Sequence, residues 1–259
     1  MLHHKYTKGK KNPLVFLHGY CEDQTMWEGY TRSFVGHSIL AVDLPGFGKS
    51  PSREKISIID MAQEVQQVIQ HHALENVIVI GHSMGGYVAV ALSRLLGSKL
   101  KGLCMFHSHP FEDNAALKEK RTKGNAFIKA NGSAKFAESL LPSLFAPAVR
   151  KNHSAQIQKM ITAVSQLSTA SLVNGMSAMR DRPDMQEWVK ELNCPYHCIL
   201  GTEDIPTPLS LCLPQVSLAN ITKVTILPEV GHMGMFTATE VTQLALHDFI
   251  KFCLQKMEY

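Results

Sequence analysis

Three residues in this chain, Ser83, Asp204 and His232, have the types and the order needed to turn a hydroxyl into a nucleophile. Ser83 lies in Gly81-His82-Ser83-Met84-Gly85, between the apolar run Val77-Ile78-Val79-Ile80 and a helical run over residues 87–96. That reads as strand, sharp turn, helix. So tight a turn forces strained backbone angles on the serine and needs small residues two before and two after it, a demand that Gly81 and Gly85 meet. The hydroxyl then stands at a helix N-terminus, where free N–H groups favour developing negative charge. A serine hydroxyl is a poor nucleophile at neutral pH, so a histidine must take its proton and later return it. His232, in Gly231-His232-Met233, is placed for that, and Asp204, in Gly201-Thr202-Glu203-Asp204, for accepting from the other ring nitrogen. The backbone N–H of Met84 and of Tyr20, the latter preferred over Cys21, are the expected donors to a tetrahedral oxyanion.

The elements that must position these residues alternate. Apolar runs at residues 14–17, 39–42, 77–80, 102–106, 197–200 and 223–227 read as strands. Amphipathic stretches at 57–73 and 237–257 read as helices covering them. The pattern implies a parallel sheet with helices on both faces, and every candidate residue follows a strand, where ligands of open parallel sheets sit. Between residues 107 and 194 strand patterns give way to helical ones at 114–130, 134–140, 149–167 and 169–179, so a helical insertion is expected there.

Composition narrows the class. With 45% hydrophobic and 19% charged residues the chain has ordinary globular usage. A net charge of +4 over 26 basic and 22 acidic residues, with one short basic cluster at residues 5–11, carries no nucleic-acid footprint. No run of ~18 apolar residues is present and residues 12–17 are too brief for a signal-peptide core, so no membrane span and a cytoplasmic location are expected. The six scattered cysteines are expected free and reduced, and the pair Cys194 and Cys198 offers too few ligands for zinc. No nucleotide or metal motif appears, so catalysis without a cofactor is expected, on a small-molecule ester. Oligomeric state carries no signal in the sequence.

His18-Gly19, Asp43-Leu44-Pro45-Gly46-Phe47-Gly48-Lys49-Ser50, Gly81-His82-Ser83-Met84-Gly85-Gly86, Gly201-Thr202-Glu203-Asp204 and Gly231-His232, in this order, resemble the α/β-hydrolase superfamily, and within it the small serine hydrolases with a helical cap, such as carboxylesterases and ring-cleavage-product hydrolases. The resemblance implies an α/β fold with a mostly parallel central sheet flanked by helices and a helical cap inserted after the sixth strand. The core domain would then be residues 1–109 and 191–259, and the cap 110–190. It also implies that His18, Asp43 and His82 brace the site without reacting, and that residues 179–184 form a brace or hinge. Members that attack alkyl carbons use an aspartate nucleophile, which Ser83 argues against.

His107-Ser108-His109 is more polar than the corresponding family segment, and pocket lining is favoured over metal binding there. His107, His109, Met160, Val164 and Met233 are the expected substrate-binding residues, with Ile161, Leu167, Leu172, Met176 and Met179 also able to face the pocket or simply to pack the helices on one another. Glu203, Glu112 and Asp113 are alternative acids, but the Gly-x-x-Asp spacing favours Asp204. Three functions stay open: cleavage of a carboxylic ester or thioester through an acyl-enzyme, a lyase using the same triad with Arg121, Lys123 or Arg150 facing a carboxylated substrate, and a binding module on the same fold.

Overall fold

The computed structural model describes residues 1–255. Seven strands form one sheet: β1 (His4–Thr7), β2 (Lys11–Leu17), β3 (His37–Val42), β4 (Val77–His82), β5 (Leu100–Phe106), β6 (Tyr196–Gly201) and β7 (Thr222–Leu227). They run in the order β1-β3-β2-β4-β5-β6-β7, all parallel except β1, which pairs antiparallel with β3. The sheet is the expected mostly parallel one. β1 escaped the sequence pattern because His-Lys-Tyr-Thr is polar and only every second residue of this edge strand turns inward.

The helices are α1 (Ile58–His71), α2 (Met84–Leu96), α3 (Ala115–Leu140), α4 (Ser154–Ser165), α5 (Thr169–Arg180), α6 (Gln186–Lys190), α7 (Leu209–Cys212), α8 (Gly234–Thr237) and α9 (Thr239–Gln255). The end of the helix expected to reach residue 257 lies outside the described residues. Among the described residues, no helix is long and apolar enough to cross a membrane.

The local reasons for these elements are direct. β4 is buried along its whole length, which is why its Val-Ile-Val-Ile run lacks alternation: both faces are covered by helices. α1 starts on a capping box in which Ser57 and Asp60 satisfy each other's backbone N–H, and it buries Ile58, Met61, Ala62, Val65, Val68 and Ile69 on one stripe. The two helical stretches expected at 114–130 and 134–140 are one run, α3, broken at Gly132, whose φ of 79° and ψ of 173° leave the helix.

The helical segment α3–α6 follows β5, the fifth strand in chain order, and so corrects the expectation of a position after the sixth. That count came from the fuller family sheet; here only β1 joins the four strands foreseen before the insertion. From β2 the chain moves outward to β3, then returns to β4 on the other side of β2. The loops after β2 and β4 therefore diverge, opening a crevice at the carboxyl ends of these strands.

Candidate active site

Ser83 sits at that crevice. It has φ 49° and ψ −116°, a left-handed conformation that an L-residue adopts only when its surroundings hold it there. The surroundings are close: Ser83 N–H donates to the Phe106 carbonyl at 3.0 Å, and the Ser83 carbonyl accepts from Ser108 Oγ at 2.7 Å and from Gly86 N–H at 2.9 Å. A Cβ on Gly85 would stand 2.5 Å from the carbonyl oxygens of Leu17 and His18, backbone atoms that cannot swing away. Gly85→Ala is accordingly expected to destabilise by about 1–3 kcal/mol, the range of overpacked buried sites, read as a fall in Tm.

His232, ahead of α8, is held by its backbone N–H on the Leu144 carbonyl at 2.8 Å. Its Nδ1 lies 3.0 Å from Asp204 Oδ1 and 2.9 Å from Oδ2. An ionised carboxylate only accepts, so Nδ1 carries the proton and Nε2 presents its lone pair. Asp204 also accepts from Thr207 N–H at 2.9 Å and Thr207 Oγ1 at 2.8 Å, and the Nδ1 of buried His107 lies 3.0 Å from its Oδ2. Burial alone would raise the Asp204 carboxyl. Electrostatic attraction to His232 and the contacts from His107 and His232 outweigh it and hold the group well below the usual carboxylate range. Burial pushes His107 down to about 4, against the pull of Asp204.

The alternative acids go elsewhere. Glu203 is exposed, Glu112 pairs with Lys118 at 2.8 Å, and Asp113 is buried between Arg182, at 2.7 Å, and Arg121. Arg182 lies over the Tyr87 ring at 3.9 Å and donates to the Met179 and Phe111 carbonyls, which makes residues 179–184 a brace. His18 Nε2 accepts from Leu44 N–H at 2.8 Å while Nδ1 faces the Gly19 carbonyl at 2.7 Å, so both its nitrogens are engaged with backbone. Asp43 accepts from the N–H groups of Gln24 and Lys49 at 2.8 and 2.9 Å.

Ser83 and His232 border one cavity of about 240 Å³. Its floor includes Tyr20, His82 and Thr207, and α3 and α5 cover it with Leu117, Arg121, Phe136, Met176 and Met179. Larger surface hollows, of about 600 Å³ by Trp188 and about 400 Å³ by Met160, do not include Ser83. The N–H groups of Tyr20 and Met84 have no internal acceptor among the described residues, Met84 being the first residue of α2.

The expected pocket lining is corrected. His107 is buried behind Asp204, and His109 is buried between the rings of Tyr87 and Phe111, its basicity pushed down to about 3 by burial and by Arg182. Met160 borders the hollow that Tyr30 and Met235 also line, Val164 a different one beside Asp43, and Met233 is buried at the start of α8. Of the helical residues proposed to face the pocket, Met176 and Met179 do. Of the basic candidates Arg121 borders the cavity, while Lys123 pairs with Glu119 at 2.7 Å and Arg150 donates to the Phe145 carbonyl at 3.0 Å. Thr207, Ser108 and Glu22 were not foreseen; the Thr three residues past Asp204 was the one local signal available.

The family model described as alpha/beta hydrolase fold matches residues 12–174, which include the serine turn and the loop after β2 and stop short of Asp204 and His232. The chain belongs to the α/β-hydrolase family. Among curated members it is 28% identical to a pimeloyl-[acyl-carrier protein] methyl ester esterase of Pseudoalteromonas atlantica, over 90% of this chain and 92% of that one. It is 24% identical to a 2-succinyl-6-hydroxy-2,4-cyclohexadiene-1-carboxylate synthase of Klebsiella pneumoniae, over 74% and 77%. A thermophilic esterase from Thermogutta terrifontis superposes with a TM-score of 0.90 at 24% identity, over 97% of this chain and 93% of that one. For an α/β hydrolase the departure at residues 107–109 thus packs against Asp204, the Ser83 turn and the core, with no side chain of the three lining the cavity.

Proposed function

We propose that the protein is a serine hydrolase that cleaves carboxylic esters or thioesters of small to medium, partly apolar substrates through an acyl-enzyme on Ser83. The observation that carries this reading is a histidine whose Nδ1 is fixed by a buried carboxylate and which shares one cavity with a serine on a strained turn. In the proposed reaction Ser83 Oγ attacks the carbonyl carbon and its proton passes to His232 Nε2. The oxyanion is met by the N–H groups of Tyr20 and Met84, and the alcohol leaves with the proton from His232. Water then attacks the acyl-enzyme, again losing its proton to His232, and the acid departs. Residues 110–190 act as the cap over the core formed by 1–109 and 191–259, and no cofactor takes part.

A lyase reading has one observation in its favour, Arg121 on the cavity wall, but that guanidinium is already engaged by Asp113. The test is hydrolysis of p-nitrophenyl esters from acetate to laurate, with mass spectrometry of the protein after exposure to an alkyl fluorophosphonate. Turnover should peak at short acyl groups, as a cavity of about 240 Å³ requires, and one phosphonyl group should be found on Ser83. An adduct without turnover of any ester would favour the lyase; neither would overturn both.

A further inference from the structure

Beside the triad lies a second histidine–carboxylate pair, Glu22 and His82, with side chains 3% and 1% exposed. His82 Nδ1 is 2.9 Å from Glu22 Oε2, which also accepts Gly19 N–H at 2.6 Å, and His82 Nε2 is 3.0 Å from the His232 backbone carbonyl. Both partners of the ring are acceptors. A carbonyl has no proton to give, so Nε2 donates to it, and against an ionised Glu22 Nδ1 must donate as well: with the carboxylate charged, both contacts are satisfied together when both ring nitrogens are protonated. In that state the pair is an imidazolium and a carboxylate.

The three segments it joins are those the reaction needs. Glu22 closes the turn that carries Tyr20, His82 immediately precedes Ser83, and the carbonyl it grips belongs to His232. We infer that the Glu22–His82 ion pair is a positioning element of the reaction centre, holding the Tyr20 N–H, Ser83 and His232 in register, and that it does so only with both ring protons in place. The inference rests on the serine hydrolase reading above.

The electrostatics agree. Burial would lower His82 and raise Glu22, yet His82 is raised by Glu22, and Glu22 is lowered by His82 and the Gly19 N–H. The other ionisable groups around the pair are His18 and Cys21 from the loop after β2, His107 from the end of β5, and Asp204 and His232 from the acid and base loops. A histidine raised by a partner keeps its contribution at low pH and loses it as pH rises through the raised value. Deprotonation then turns a lone pair toward either the carboxylate or the His232 carbonyl.

The experiment compares wild type, Glu22→Gln, His82→Gln and the double variant on p-nitrophenyl butyrate across pH, with the phosphonylation rate of Ser83 as a second readout. Glu22→Gln should lower kcat by about 10- to 100-fold, less than the ~10²–10³ that loss of an oxyanion donor costs, with KM little changed and phosphonylation slowed in parallel. Its alkaline limb should move to lower pH, because His82 has lost its counter-charge. The double variant should be no worse than the poorer single one, as for groups acting as a unit. A folded Glu22→Gln with wild-type kcat and pH profile, or losses that add in the double variant, would overturn the inference. If Glu22→Gln does not fold, a folded His82→Gln with wild-type kcat overturns it as well. A wild type that neither turns over ester nor takes phosphonate fails the hydrolase reading first, before any variant is compared, and the inference falls with it.

Discussion

Replacing Ser83 by alanine is expected to lower kcat on p-nitrophenyl esters by at least about 10⁴-fold, leaving only the acceleration that oxyanion donors and binding supply without a nucleophile. The size follows from what the substitution leaves in place. Alanine keeps the Cβ and so the left-handed backbone strain, and the ties of this turn run through main-chain atoms, the Ser83 N–H to Phe106 and the Ser83 carbonyl to Ser108 and Gly86. The cavity, Asp204 and His232 should therefore stay as they are, with Tm and KM close to wild type, and the whole loss should fall on the chemical step. The phosphonate adduct should vanish from the same protein. A variant retaining more than a few per cent of wild-type kcat would show that Ser83 is not the attacking group.

How much of this was legible in the sequence depended on range. The serine turn could be read because its constraints are local: two glycines two residues away, a run of β-branched residues before it, a helix after it. The strands at 14–17 and 77–80 could be read because both faces are buried and the apolar run is continuous. β1 could not, since its pairing with β3 is made by backbone and its side chains are those of an exposed edge. The cavity lining was half hidden for another reason. Met160 and Val164 on α4 lie four residues apart and Met176 and Met179 on α5 three, both spacings of one helix face, and periodicity tells that a face is buried but not against which neighbour. Glu22 and His82 are 60 residues apart and His107 meets Asp204 from another strand, so both partnerships exist only once the order β2-β4-β5-β6 has brought the strand ends together.

Asp204→Asn is expected to lower kcat by about 10⁴-fold while leaving the fold and the Ser83 hydroxyl intact. The carboxylate fixes which nitrogen of His232 is protonated. All of its contacts come from donors or ring nitrogens facing it: Thr207 N–H, Thr207 Oγ1, His107 Nδ1 and His232 Nδ1. An asparagine has one accepting oxygen, and the two Thr207 donors compete for it. Its amide then faces a histidine, which pairs with it only through an Nδ1 lone pair. His232 in that tautomer carries its proton on Nε2, pointing at the serine, and cannot take the serine's proton. The pH dependence separates this from a merely weakened triad. A carboxyl held below its ordinary value contributes stability above the unfolded value, near 3.9, and loses it as pH falls through the folded one. Thermal unfolding of wild type should therefore weaken in acid relative to the asparagine variant, which has no proton to take up at this position. The difference in Tm between the two should be largest near neutral pH and shrink below about pH 4. Parallel Tm curves across that window, or an asparagine variant within about tenfold of wild-type kcat, would remove Asp204 from the role assigned to it.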